Sequence, residues 1–79
     1  MNTVNQTLTF ALCLDNEGYP ASLEVGKLYR VVPDEEAKAH GYIRIIDESG
    51  DDYAFTANRF HMLQLPYDVG QALSASSKS

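Results

Sequence analysis

The residues of this chain that could supply a nucleophile and a base are Cys13, His40 and His61. Cysteine catalysis requires a thiolate in an electropositive, partly exposed setting, with a base within hydrogen-bond reach. Cys13 instead lies in an apolar stretch, residues 8–14, that is followed by acidic side chains, and both features favour the neutral thiol. We therefore predict that Cys13 is a buried structural residue and that the chain is not an enzyme.

The cysteine, the histidines and the acids do not have the spacing of a metal site. Zinc sites use close pairs such as Cys-x-x-Cys or His-x-x-x-His, and the chain has neither. Four acids crowd one predicted turn, and hard cations prefer such oxygen ligands; these acids are Asp47, Glu48, Asp51 and Asp52. Their spacing is not that of an EF-hand loop, and acidic residues are common in turns, so we expect no metal and no cofactor.

Aromatic side chains are the remaining candidates for a binding surface, because they dominate the energetics of protein interfaces. The chain has five tyrosines, three phenylalanines and no tryptophan. Those considered for an exposed patch are Tyr19, Tyr42, Tyr53, Phe55 and Phe60. Several of the five must belong to the core, since a domain this small has few residues to bury.

The pattern of apolar and polar residues predicts the elements that would position these side chains. Strands are predicted at residues 8–14, 28–32, 42–47 and 53–55, with a closing strand at 61–65 that returns to pair near the first. Residues 15–24 are expected to form a long loop that folds back on itself. Residues 34–40 carry acids first and Lys38 and His40 last, which predicts a short helix that ends before Gly41. Gly50 predicts a hairpin turn between the third and fourth strands, and residues 56–60 predict a single tight turn.

Size, composition and charge limit the class of protein and the partners. The chain has 79 residues, of which 44% are hydrophobic, which indicates one globular domain. Eleven acidic residues against six basic ones give a net charge of −5, which argues against binding to nucleic acid or to an anionic membrane. The sequence has no apolar run long enough for a membrane helix and no signal-peptide pattern, so we expect a cytoplasmic protein.

The two ends of the chain are predicted to be flexible. Residues 1–7 are polar, and residues 67–79 end in a run of small polar side chains. Residues 67–73 have a weak helical pattern, but Gly70 argues against a helix there. The globular part is therefore predicted to span residues 8–66.

Several short motifs resemble those of SH3 domains. Ala11-Leu12-Cys13 stands where these domains carry Ala-Leu-Tyr, an acidic loop follows at residues 15–18, and residues 23–27 are similar to their Gly-containing turn. Gly41-Tyr42 occupies the place of the Gly-Trp-Trp step. Residues 51–63 parallel the ending Gly-Leu-Phe-Pro-Ser-Asn-Tyr-Val, with Phe55, Asn58 and Phe60 matching in type. The chain also resembles small uncharacterised bacterial proteins that have a similar Lys-x-Tyr-Arg-Val and Asp-Glu-Ser-Gly core.

The resemblance implies an all-β fold, a five-stranded SH3-like barrel with one short helical turn and disordered termini. It also implies a groove for proline-rich peptides, which are recognised in the polyproline II conformation. The groove positions are occupied here by Cys13, Tyr42, Thr56 and Phe60. These side chains lack the indole and most of the hydroxyl donors that orient such peptides, so standard proline-rich ligands are not expected.

Two functional hypotheses follow from the resemblance and the charge. The first is a non-catalytic module that binds a protein or peptide partner, expected to be basic; its predicted ligand-binding residues are Asp15, Glu17, Tyr19, Tyr42, Asn58 and Phe60. The alternative is a small barrel that binds nucleic acid. The alternative requires four basic residues to cluster on one face: Lys27, Arg30, Arg44 and Arg59.

Overall fold

The chain folds into one antiparallel sheet of five strands, against which two helices lie. The computed structural model describes residues 6–76, and the side chains of residues 6–73. Its elements in chain order are β1 (Thr7–Cys13), β2 (Leu28–Val32), α1 (Glu35–Ala39), β3 (Tyr42–Ile46), β4 (Asp52–Thr56), a 3-10 helix (Ala57–Arg59), β5 (Phe60–Pro66) and α2 (Tyr67–Ser76). The predicted strands are confirmed, with no end shifted by more than one residue.

The strands are arranged in the order β4-β3-β2-β1-β5. The predicted return of the last strand to the first is confirmed, because β5 pairs with β1 along its whole length, from Thr7↔Pro66 to Cys13↔Phe60. The predicted hairpin is confirmed as well, with β3 and β4 paired from Tyr42↔Thr56 to Ile46↔Asp52. The sheet is open, and β4 and β5 are its two edges.

The core lies on one face of the sheet, where alternate residues of the paired strands meet. Its members are Ala11, Cys13, Leu23, Tyr29, Ile45, Phe55 and Phe60. Leu23 comes from the long β1–β2 connection and is only 1% exposed, so it closes the core from the loop side. Cys13 is fully buried, as the sequence predicted.

Local capping explains the short helix and the turns that flank it. The side chain of Asp34 accepts a hydrogen bond from the backbone N–H of Ala37, so this first residue of the predicted helix caps the N-terminus of α1. Gly41 follows the helix with a φ of +80°, and Gly50 turns the β3–β4 hairpin with a φ of +91°. Both angles lie in the left-handed region that favours glycine.

The C-terminal segment differs from the prediction of a flexible tail at residues 67–79. Residues 67–76 form α2, which packs against β1 and β5. Gly70, which argued against a helix, is buried, unlike the other residues of α2 from 67 to 73: a Cβ atom at this position would lie 2.7 Å from Leu8 Cδ1 and 3.1 Å from Phe10 Cε1. Phe10 is 2% exposed although it points away from the main core, so the helix forms because it covers this second apolar face of β1.

The sheet includes one of the N-terminal residues that were predicted to be flexible. Of the residues 1–7 predicted to be flexible, Thr7 is the first residue of β1, and its hydroxyl donates a hydrogen bond to Gln64 Oε1 at 2.7 Å. Residues 1–5, and residues 77–79 of the predicted tail, lie outside the described residues.

Candidate functional site

The long connection between β1 and β2 folds back on itself as predicted, and its internal hydrogen bonds place Tyr19 at the surface. The N–H of Tyr19 donates to Asn16 O at 2.8 Å, and the N–H of Leu23 donates to Tyr19 O at 2.9 Å. The side-chain amide of Asn16 donates to Leu23 O at 3.0 Å. Since Leu23 is anchored in the core, these bonds fix the loop and leave Tyr19 41% exposed.

The ring of Tyr19 contacts two other residues, Phe55 and Arg59. Its ring meets Phe55 edge-on, with the centroids 5.0 Å apart at an angle of 83°, a favourable aromatic geometry. The guanidinium carbon of Arg59 lies 4.8 Å from the centroid of the Tyr19 ring, within the range of a cation–π contact. The exposed Tyr19 ring therefore has fixed neighbours on two sides.

Arg59 also joins the long loop to the 3-10 helix. Its Nη1 donates to Asp15 O at 3.3 Å and lies 4.0 Å from Asp15 Oδ1. The same Oδ1 accepts a hydrogen bond from the N–H of Glu17 at 2.9 Å, which turns the loop at this point. From the sequence, Arg59 is expected only in the basic cluster that nucleic-acid binding requires; Arg59 and Tyr19 are forty positions apart, and no spacing signal links the two.

The 3-10 helix connects the loop to the start of β3. The N–H of Ala57 donates to Gly41 O at 2.9 Å, and Arg59 O accepts from the N–H of Leu14 at 2.8 Å. Tyr42 follows Gly41 and is 43% exposed. The helix thus has the acidic loop at one end and Tyr42 near the other; we call these exposed residues, Asp15, Glu17, Tyr19, Tyr42 and Asn58, the helix-flanking surface.

Phe60, the sixth predicted ligand-binding residue, is not part of this surface. It lies opposite Cys13 in the β1–β5 ladder and is 7% exposed. Phe55 is likewise buried. Tyr53, by contrast, is 58% exposed, with its ring centroid 5.8 Å from that of Phe55. The predicted aromatic patch is therefore divided, with the two phenylalanines in the core and the tyrosines at the surface.

The far end of the long loop is tied to the β3–β4 hairpin through Glu48. Tyr29 Oη donates to Glu48 Oε2 at 2.6 Å and accepts from the N–H of Glu24 at 2.8 Å. Lys27 Nζ lies 2.8 Å from the same Glu48 oxygen, and the N–H of Glu48 donates to Ser22 O at 3.0 Å. Hydrogen bonds from Lys27 and Tyr29 lower the pKa of Glu48. Burial, reinforced by the bond to Glu48, raises the pKa of Tyr29.

Most of the basic residues required by the nucleic-acid hypothesis are engaged with carboxylates. The ion pairs are Lys27–Glu48, Arg44–Asp34, Arg44–Asp52 and Arg59–Asp15. Three of the four residues of the proposed basic cluster therefore have an acidic neighbour within 4.0 Å. Such pairing reduces the positive potential that phosphate contacts require.

Among the described residues, neither histidine lies beside the cysteine. Burial raises the pKa of Cys13, with a further rise from the Asp15 carboxylate and an opposing effect from the hydrogen bond to the Asp15 carbonyl. His61 lies opposite Leu12 in the β1–β5 ladder, so its side chain points to the other face of the sheet from that of Cys13. His40 is exposed at the C-terminal end of α1.

The described residues contain neither a cluster of metal-binding side chains nor a membrane-spanning helix. In residues 6–76, no three His, Cys, Asp or Glu side chains are grouped closely enough to hold a metal ion. Over the same range, neither helix has the length and apolar character needed to cross a membrane. Comparisons with protein-family models, curated proteins and solved structures found no match to the chain.

Proposed function

We propose that this chain is a non-catalytic binding module of the SH3-like barrel type, and that it binds a basic protein segment on the helix-flanking surface. The barrel assignment is supported by the order of the strands, with β1 between β2 and β5. It is also supported by the connections: a long loop after β1, a tight β3–β4 hairpin and a 3-10 helix before β5.

The observation that carries the functional proposal is the setting of Tyr19. An exposed aromatic ring with fixed neighbours loses little conformational freedom when a ligand packs on it, which favours binding. Tyr19 is 41% exposed, while Phe55 and Arg59 contact its ring. Tyr42, near the other end of the 3-10 helix, offers a second exposed ring.

The charge of the surface indicates the chemistry of the ligand. Asp15 and Glu17 are both exposed, and the side chain of Asp15 is 57% exposed even though it faces Arg59. With a net charge of −5, the chain attracts cationic partners over a distance of about 10 Å at ordinary ionic strength. A ligand with lysine or arginine is therefore favoured, and its association should weaken as salt is added.

The test is a titration of the ¹⁵N-labelled protein with a panel of basic and proline-rich peptides, followed by amide chemical shifts. We expect shifts at residues 15–19, Tyr42 and Asn58, and a loss of affinity in a variant with Asp15→Asn and Glu17→Gln. The asparagine keeps the Oδ1 acceptor that turns the loop.

A matched control removes two exposed acids elsewhere. Asp51 lies in the β3–β4 turn and Asp68 in the first turn of α2, so Asp51→Asn with Asp68→Asn changes the net charge equally. If both double variants lose the same affinity, the effect comes from total charge and the assignment of the surface is contradicted. Absence of shifts with every peptide of the panel would overturn the proposed function.

A further inference from the structure

A second groove opens where β1 and β2 separate. Their ladder covers three residue pairs, from Leu12↔Leu28 to Phe10↔Arg30. Beyond it, Thr7–Thr9 of β1 are paired to β5, and Val31 and Val32 of β2 are paired to β3. The sheet therefore splits at this point, and β1 has an edge with no strand beside it in the described structure.

Pro33 limits how far the ladder between β1 and β2 could continue. Continuing the register by three residues would place Thr7 opposite Pro33. Proline has no N–H to donate and is excluded from the interior of a sheet. After Pro33 the chain turns into α1, which lies against β3, so β2 follows β3 away from β1.

An open groove with a volume of about 760 Å³ includes this split, and the residues that line it include Thr7–Thr9 and residues 30–35. Its apolar lining includes Val31, Ile43 and Met62. Val31 and Ile43 pack against the core cluster and are partly exposed, and Met62 is 41% exposed. These side chains offer an uncovered apolar surface beside an unpaired strand edge.

Among the described residues that line the groove, the charges without an ion-pair partner are mostly positive, although the net charge of the chain is negative. Arg30 and Lys38 line it, and neither takes part in an ion pair in the described residues. The charge of Asp34 is matched by Arg44, whose Nε lies 2.8 Å from Asp34 Oδ2. Glu35 is the acid on the lining that has no such partner in the described part of the chain. Two unmatched cations against one unmatched acid favour an anionic ligand.

We propose that this groove binds an extended peptide segment in which an acidic residue stands next to apolar ones. The segment pairs its backbone with the free edge of β1 at Thr7–Thr9, a known mode of peptide recognition by sheet edges. Its apolar side chains cover Val31, Ile43 and Met62, and its carboxylate lies between Arg30 and Lys38. Three residues of strand edge span roughly 10 Å, which is enough for a few residues of an extended peptide.

This groove and the helix-flanking surface prefer opposite charges. The first takes an acidic segment and the second a basic one, and Tyr42 is the residue they share. Shifts of Thr9 and Val31 therefore report the groove, and shifts of residues 15–19 report the helix-flanking surface. Either proposal can fail while the other holds.

The experiment uses the full chain and three blocked pentapeptides that differ only at the centre, Thr-Val-Glu-Val-Thr and its glutamine and lysine analogues. Affinities are obtained from the amide shifts of Thr9 and Val31. Because single exposed charge pairs contribute modestly, we expect the glutamate peptide to bind about two- to five-fold more tightly than the glutamine one, and the lysine peptide to bind most weakly. Backbone pairing should also slow amide exchange at the β1 edge.

Three variants test whether the preference for the glutamate peptide arises in the groove. Lys38→Gln should remove most of the preference for glutamate over glutamine, and Glu35→Gln should increase it. Glu36→Gln is the matched control, because Glu36 is the neighbouring exposed acid of α1 and does not line the groove. Equal effects of Glu35→Gln and Glu36→Gln would overturn the proposed placement of the ligand.

Other results would overturn the proposal as a whole. One is equal binding of the three peptides; another is shifts confined to residues 15–19. Octanoate, a small amphipathic carboxylate, serves as a probe of ligand class: if it shifts Thr9 and Val31 while the glutamate peptide does not, the groove takes a small anion and the peptide assignment is wrong.

Discussion

The substitution Gly70→Ala tests whether α2 is held by close packing against β1. In an ordinary exposed helix this change stabilises the protein, because alanine exceeds glycine in helix propensity by about 0.8–1.0 kcal/mol. Here the new Cβ would lie 2.7 Å from Leu8 Cδ1, 3.1 Å from Leu8 Cβ and 3.1 Å from Phe10 Cε1. The first of these contacts can relax by rotation of the leucine, but the other two require Leu8, Phe10 or the helix to move by a few tenths of an ångström.

The expected effect is the difference between two opposing contributions. Forcing an extra methyl group into a packed site costs about 1–3 kcal/mol, which meets or exceeds the gain from helix propensity. We therefore expect Gly70→Ala to lower the free energy of unfolding by up to about 2 kcal/mol. In a domain of this size each kcal/mol corresponds to a fall in Tm of about 4–8 °C.

The control is Ala72→Gly, at an exposed position of the same helix. This substitution measures the contribution of helix propensity alone and should lower the free energy of unfolding by about 0.8–1.0 kcal/mol. Both variants are compared with the parent chain by urea unfolding followed by circular dichroism, with the amide shifts of Leu8 and Phe10 as a local readout. If Gly70→Ala stabilises the protein by as much as Ala72→Gly destabilises it, and leaves both shifts unchanged, the close approach of α2 to β1 is refuted.

Three further predictions concern the loop and the core. Glu48→Gln should cost about 1 kcal/mol near neutral pH, a charged hydrogen bond discounted for a side chain that is 31% exposed. Because the folded-state pKa of Glu48 lies below its ordinary value of 4.5, its contribution is present above that value and is lost as the pH falls through the lowered one. As the pH is lowered, the free energy of unfolding should therefore fall less steeply in the variant than in the parent chain. Parallel curves would contradict the stabilising role of the Glu48 carboxylate. Leu23→Ala should lower the free energy of unfolding by about 2–5 kcal/mol, and a loss below 1 kcal/mol in the same urea assay would mean that the loop does not close the core. Cys13 should react with iodoacetamide far more slowly in the folded protein than in urea, since its thiol is buried and its pKa is raised; equal rates would show that it is accessible.

The parts of the fold that were predicted depend on signals that lie close together in the chain. The β3–β4 hairpin follows from alternating residues on both sides of a turn at Gly50, whose φ is +91°. Helix α1 follows from Asp34 at its start and Gly41 after its end. In each case the residues that decide the conformation are separated by only a few positions, so the sequence reveals them directly.

The exposure of the candidate site residues was predicted less completely than the fold. The structure places Asp15, Tyr19 and Tyr42 at the surface near the 3-10 helix, but it buries Phe60 in the core. Whether a strand residue faces the core or the solvent depends on the register with its neighbour. Phe60 lies opposite Cys13 and therefore shares its buried face, a relation between residues forty-seven positions apart that periodicity does not report.

The sequence by itself determined that the chain is a small acidic domain built from five strands, with a short capped helix and turns at its glycines. Only the tertiary structure decided that α2 packs against β1 at Gly70 and that Arg59 contacts the ring of Tyr19. It also decided that the ladder between β1 and β2 ends early enough to open a groove. The physical reason is the same in all three cases. Propensity and capping act within a turn or two of the chain, whereas burial, cation–π contact and strand pairing depend on residues that the fold alone brings together.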